Sequence, residues 1–137
     1  SGDKETYFRS RINGRIFTPK LPKNQKIPAD FVGSPPLHMV PVLVANARKF
    51  KRFAEERNVC LVLTYVPSPL TSPIIGQEIA KELGLPFILA GIKNLTTEDG
   101  SHMNLESAER WSKGFLPKFE PILDECLARA PGIAPAR

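Results

Sequence analysis

The chain reads as an α/β domain: a short parallel sheet between helical layers, three layers in all, with an incomplete sheet. Three observations predict this. Two short continuous apolar runs, "VCLVLTYV" at 59–66 and "LPFILA" at 85–90, have the composition of strands buried on both faces. Helical periodicity precedes, separates and follows them. The connections are short, and regular alternation of helix and strand favours parallel strands joined by right-handed crossovers.

The first helix is expected from Pro41 to about Asn58. Pro41 suits a first turn, and Leu43, Ala47, Phe50 and Ala54 recur on one face. Arg48, Lys49, Lys51 and Arg52 fill much of the remaining surface. Pro67 and Pro69 stop the strand that follows. A second helix is expected over 73–83, opened by Pro73 and closed by Gly84, with Ile75, Ile79 and Leu83 facing inward. After strand 85–90 and a loop, Asn104 is the expected N-cap of a last helix. Pro117 and Pro121 should break or restart it before about Ala128.

The domain so defined spans 38–130. Before it lies a basic, proline-rich segment, 1–37. Its residues 6–17 have an approximate helical stripe of Tyr7, Phe8, Ile12 and Ile16, weakened by Gly14. The five prolines within 18–37 exclude a regular helix or a central strand, leaving a long loop that could wrap over the domain. Residues 131–137 read as a flexible tail.

The 137 residues suit one domain, and 42% apolar with 24% charged residues is ordinary globular composition. No apolar run approaches the ~20 residues of a membrane span, and the N-terminal sequence has no hydrophobic signal region. Cys60 reads as a buried small hydrophobe and Cys126 lies on the last helix. Without a Cys-x-x-Cys pair, neither a disulfide framework nor a zinc site is expected.

Charge is uneven. Residues 1–60 carry 12 Lys/Arg against 5 Asp/Glu, a net +7, and residues 61–137 carry 7 against 9, a net −2. A basic helix of this kind can meet a polyanion, although solvated basic faces are common. No Gly-x-Gly-x-x-Gly or phosphate-loop pattern follows either apolar run, which argues against a nucleotide-binding domain.

The chemistry concentrates in "EDGSHMNLESAERW", 98–111. In an open parallel sheet, ligands meet the carboxyl ends of the strands, and Asp99 and His102 follow strand 85–90. A histidine there can act as general base, with a carboxylate fixing its tautomer. The plainer reading is an Asp-Gly turn leading into a capped helix.

From about Val40 to Phe119 the chain resembles the C-terminal half of an SGNH (GDSL-type) hydrolase or O-acyltransferase. "VANARKFKRFAEERNV", "CLVLTYVPSP", "IIGQEIAKELGLPFILA" and above all "DGSHMN" carry the likeness. The resemblance implies a flavodoxin-like three-layer fold and cleavage or transfer of acyl groups, often acetyl esters of carbohydrates, without metal or cofactor. It implies His102 as the base that deprotonates a serine and Asp99 as its orienting carboxylate. An acyltransferase would work in a periplasmic or other extracytoplasmic space; otherwise the cytoplasm is the expected compartment. The expected partner is a small-molecule or carbohydrate ester, not nucleic acid.

The sequence departs from the family at the nucleophile. Ser1-Gly2-Asp3 has the serine on the wrong side of a Gly-Asp-Ser block, with no strand before it. The blocks that donate to the oxyanion hole are not evident, and Asn13 reads as a turn asparagine. Ser68 and Ser72 lie at the right edge but among prolines, where turn chemistry explains them. Ser101 is too close in sequence to His102 for easy attack, and Trp111 reads as core. The expectation is therefore an acid–base half-site, inactive or nearly so alone. Self-association through an open edge, or pairing with a missing N-terminal half, follows from the same incompleteness. The alternative is a non-catalytic interaction module that binds polyanions through its basic helix.

Overall fold

The computed structural model describes residues 8–9, 16–17 and 26–129. Ser1–Asp3, Asn13, the proline-rich stretch 18–25 and the tail 131–137 lie outside the described residues. Strands β1 (Phe8–Arg9) and β2 (Ile16–Phe17) pair antiparallel, Phe8 opposite Phe17 and Arg9 opposite Ile16. This replaces the helix expected over 6–17. Aromatic and β-branched residues favour a pleated surface, and Asn13-Gly14 is a dipeptide that favours hairpin turns over helix.

Strand β3 (Ile27–Pro28) comes from the proline-rich segment. It pairs antiparallel with β6 (Thr96–Thr97), and Ala29, 1% exposed, continues the contact through its amide to the Leu95 carbonyl at 2.9 Å. The segment thus lies against the chain just before the Asp99–His102 block. Proline is tolerated in β3 because a two-strand ladder has an open edge on either side.

Helix α1 (Val40–Glu55) carries Pro41 in its first turn. It ends where Asn58 turns left-handed, φ 54°, and the Val59 amide returns to the Ala54 carbonyl at 2.9 Å. Its buried side differs from the expected stripe. Val44 and Ala54 are buried, whereas Phe50 is 61% exposed. Phe50 belongs with Val42 and Phe53 on the outward face; the inward face is completed by Val44, a position the i, i+4 pattern passed over.

Strand β4 (Leu63–Thr64) pairs parallel with β5 (Phe87–Ile88), and helix α2 (Pro73–Leu83) connects them. The Ser72 hydroxyl caps α2 by accepting the Ile74 amide, and Gly84, φ 63°, closes it in the left-handed conformation that favours glycine. Both strands are shorter than the apolar runs that contain them. Thr64 and Val66 are exposed, so β4 is not covered on both faces as expected. Among the described residues each has one partner strand, so the ends of the runs find no ladder there.

Helix α1 packs on α2, α2 lies against β4 and β5, and helix α3 (Leu105–Arg129) lies against β5. Two glycines permit the close approaches. A side chain at Gly76 would meet the Phe87 ring, and one at Gly114 would meet Ile92 and the Ala90 carbonyl. The arrangement is of mixed α/β class, with its described strands in three two-stranded sheets. Among the described residues the buried apolar set is mostly small: Ala29, Val44, Ala54, Ala80, Leu83, Ile88, Ala90 and Leu95.

Two expectations are corrected here. Helix α3 runs unbroken through Pro117 and Pro121. The prolines are four residues apart and both exposed, so the carbonyls they leave unbonded can be hydrated on the solvent side. Cys60 is exposed rather than buried, and it forms a disulfide with Cys126 on α3, Cα–Cα 6.1 Å. Cysteines 66 positions apart share no local motif, so only the fold brings them together. No helix among the described residues is long and apolar enough to cross a membrane.

Candidate functional site

The loop that leaves β5 is fastened to α3 by cationic side chains. Lys118 Nζ donates to the Leu89 carbonyl at 2.6 Å, and Arg110 donates to the carbonyls of Lys93 and Asn94 at 2.9 and 3.1 Å. Asn94 sits at φ 55°, the left-handed region that asparagine tolerates. These long side chains satisfy carbonyls that the short sheet leaves unpaired.

The chain then forms β6 and folds back. The Glu98 amide donates to the His102 carbonyl at 2.9 Å, and Thr97 bridges Met103. Residues 99–102 are therefore the tip of a tight reversal. Its base is a buried polar cluster. The Ser107 hydroxyl, in a residue 3% exposed, accepts the Thr96 amide at 2.8 Å. The Asn104 carboxamide oxygen accepts the Ser107 amide at 2.9 Å, the cap expected from the sequence, while its nitrogen donates to the Thr96 hydroxyl. Thr97, 0% exposed, donates its hydroxyl to the Ile27 carbonyl at 3.2 Å and accepts the Gly100 amide at 3.1 Å. Gly100, at φ 84°, makes the bend.

At the tip, Asp99 organises its neighbours. Oδ1 accepts the amides of His102 at 2.7 Å and Ser101 at 2.9 Å, and the Ser101 hydroxyl at 3.0 Å. Oδ2 lies 2.7 Å from His102 Nδ1. Partial desolvation opposes ionisation of Asp99. The backbone and ring of His102 and the amide and hydroxyl of Ser101 outweigh it, and hold the carboxyl well below the usual carboxylate range. With Nδ1–H donated to that carboxylate, Nε2 carries the lone pair, the tautomer a general base needs.

The structure brings Asp99 and His102 into contact, and Ser101, set aside in the sequence as an attacking group, joins them. The Ser101 hydroxyl lies 2.9 Å from His102 Nδ1, on the edge that Asp99 already occupies. The Ser101 hydroxyl therefore supports Asp99 on the Nδ1 edge and does not bond Nε2. Among the described residues no group bonds Nε2, and the His102 side chain is 74% exposed. Ser68 and Ser72 are buried, and their hydroxyls accept the amides of Leu70 and Ile74, roles of turn and cap. Among the described residues no cluster of three His, Cys, Asp or Glu could hold a metal ion.

Beyond the carboxyl ends of β4 and β5 lies an open, mainly apolar cleft of ≈ 170 Å³, lined by Tyr65, Pro67, Pro73, Ala90, Ile92 and Trp111 among others. A second cleft of ≈ 270 Å³ shares Tyr65, Pro67, Pro73 and Ile92 and continues to Ala29, Asp30 and Phe31. Trp111 is thus a half-buried wall rather than pure core. Its Nε1 donates to the Tyr65 carbonyl at 3.2 Å and its ring stacks on Phe115, centroids 5.0 Å apart. Position after a parallel strand is the one sequence signal that pointed to this edge. Asp99 and His102 do not line either cleft.

On α1, Arg48, Lys49 and Arg52 are exposed, while Lys51 pairs with Glu55 at 3.1 Å. Comparison with family models, curated proteins and solved structures finds no match to the chain.

Proposed function

We propose that the chain carries the acid–base half of an SGNH-type serine esterase or O-acyltransferase, within a three-layer α/β/α fold. The observation that carries this reading is the 2.7 Å contact of Asp99 Oδ2 with His102 Nδ1, on a tip downstream of a parallel strand, with Nε2 unbonded by any described residue. A serine from outside the described residues gives its proton to Nε2 as it attacks an acyl ester, acetyl esters of carbohydrates being the expected class. Asp99 stabilises the imidazolium that forms. His102 then returns the proton to the departing alkoxide, and the acyl-enzyme passes its acyl group to water or to an acceptor hydroxyl. The mechanism requires neither metal nor cofactor.

The reading is tested by nitrogen-15 NMR of the His102 ring. In the neutral ring the Nδ1–H tautomer should dominate, and it should be lost in Asp99→Asn. A dominant Nε2–H tautomer in the native chain refutes the assignment. The isolated chain should hydrolyse an activated acetyl ester no faster than buffer. Hydrolysis that His102→Ala abolishes would place the nucleophile within this chain.

A second reading, an interaction module binding polyanions through α1, is favoured by the exposure of Arg48, Lys49 and Arg52. Such binding should fall steeply with salt, whereas binding of an uncharged ester should be nearly indifferent.

A further inference from the structure

Helices α1 and α3 each turn an apolar stripe to solvent. On α1, Val42, Phe50 and Phe53 are 65%, 61% and 51% exposed. The two phenyl rings stack, centroids 6.5 Å apart, and the Arg57 guanidinium lies 3.6 Å over Phe53. On α3, Leu116, Leu123 and Leu127 are 50%, 37% and 46% exposed and recur at i, i+7 and i+11, one side of a helix. Phe50 and Phe53 touch one another, and apolar groups exposed together mark contact surfaces more than scattered single residues do.

The charges beside the two rows are opposite. Along α1, Arg48, Lys49 and Arg52 are exposed and hold no ion pair among the described residues. Along α3 from Leu116 to Leu127, Glu120 and Asp124 are exposed and likewise unpaired among the described residues, while Glu125 is engaged by Arg129 at 3.1 Å. The Cys60–Cys126 disulfide and a shared cleft hold the C-terminal ends of the two helices near one another: Lys51, Glu55 and Val59 line that cleft together with Ile122 and Glu125. One chain therefore presents a basic aromatic row and an acidic leucine row from the same end of the molecule.

We propose that this surface binds a second copy of the chain, α1 of each copy docking on α3 of the other. Phe50 and Phe53 pack between Leu116, Leu123 and Leu127, and Lys49 and Arg52 face Glu120 and Asp124. A two-fold arrangement makes the contact twice, and closure limits it to a dimer. The apolar rows supply the attraction; the charges set register and speed encounter, so added salt slows association more than it weakens the dimer. The inference is independent of the esterase assignment.

Sedimentation velocity across a range of concentrations tests it. The native chain should pass from monomer to dimer. Phe50→Glu with Phe53→Glu should weaken dimerisation at least about tenfold, as expected for central aromatic anchors. These residues are exposed in the monomer, so circular dichroism should be unchanged. Reversing α1 alone, Lys49→Glu with Arg52→Glu, should weaken the dimer, as should reversing α3 alone, Glu120→Lys with Asp124→Lys. A chain carrying both reversals should recover it. A monomer at every concentration overturns the proposal. So does association insensitive to these substitutions, which would assign the contact to the open sheet edges. Association that appears only with added heparin and ignores the α3 reversal assigns α1 to a polyanion, and equally overturns it.

Discussion

Asp99 grips His102 at two points: Oδ2 lies 2.7 Å from the ring Nδ1 and Oδ1 accepts the backbone amide, also at 2.7 Å. Ring and backbone are thus referred to one carboxylate. The His102 side chain is 74% exposed, so this ion does the orienting that packing does in a core.

The grip depends on Asp99 being ionised. Its folded carboxyl lies below the ordinary aspartate value of about 3.9, because the bonds from His102 and Ser101 outweigh partial desolvation. Between the unfolded and folded values the folded state binds fewer protons, so stability rises with pH there. Asp99's contribution should be complete above about pH 5 and fade as pH falls through the depressed folded value. Carbon-13 titration of the carboxyl should give a midpoint well below 3.9. An ordinary midpoint would mean that these hydrogen bonds do not persist in solution.

Ser101→Ala separates support from attack. The substitution removes the hydroxyl that donates to Asp99 Oδ1 and leaves the Asp99–His102 contact in place. The Nδ1–H tautomer should therefore survive, and the Asp99 midpoint should rise. Within an active enzyme the rate should fall by no more than about a hundredfold, since one hydrogen bond to a charged group contributes about 1.5–3 kcal/mol. Loss of all ester hydrolysis in Ser101→Ala would make this hydroxyl the nucleophile and contradict its placement on the Nδ1 edge.

Much of the frame was legible because local signals agreed with the fold. Pro73 and Gly84 punctuate α2, Asn104 caps α3, and the Asp99–His102 reversal needs only four residues. The failures came where a distant partner decides the outcome. Within 6–17 the helical stripe competed with the hairpin signal of Asn13-Gly14, and the strand pairing of Phe8 with Phe17 outweighed it; nothing near Cys60 announces Cys126. Phe50 was placed inward because helical spacing does not reveal how wide a face the neighbours cover. Thr96, Thr97 and Ser107 went unnoticed because a buried hydroxyl has no sequence signature until its partner's position is known.

The Cys60–Cys126 bond should be the main anchor of the last turns of α3. Beyond Lys118 the helix exposes Glu120, Pro121, Leu123, Asp124, Glu125 and Leu127, and none of its residues there is buried. Closing a loop across 66 positions removes denatured-state entropy equivalent to about 4 kcal/mol on the chain-entropy model. Reduction should lower the urea midpoint accordingly and raise amide exchange first in 119–129. Cys60→Ser with Cys126→Ser should reproduce both effects and make them insensitive to reductant. Equal exchange in the reduced and oxidised chain would show that packing alone holds this end.

Gly114→Ala tests whether α3 must lie this close to β5. In an exposed helix interior the change would stabilise by roughly 0.5–1 kcal/mol through helix propensity. Here the added methyl carbon would stand 2.7 Å from Ile92 Cγ1 and 2.8 Å from the Ala90 carbonyl oxygen. The isoleucine can rotate, but the carbonyl belongs to the backbone that leaves β5 and cannot move without the strand. Overpacking of this kind costs about 1–3 kcal/mol, so net destabilisation is expected in urea unfolding. The helix should also shift outward and carry Trp111 with it. The Trp111 Nε1 bond to the Tyr65 carbonyl would then lengthen, and the indole proton should exchange faster and change its NMR shift. A variant as stable as the native chain, with an unchanged indole signal, would show that α3 stands farther from β5 in solution and that the Trp111 wall of the cleft does not depend on Gly114.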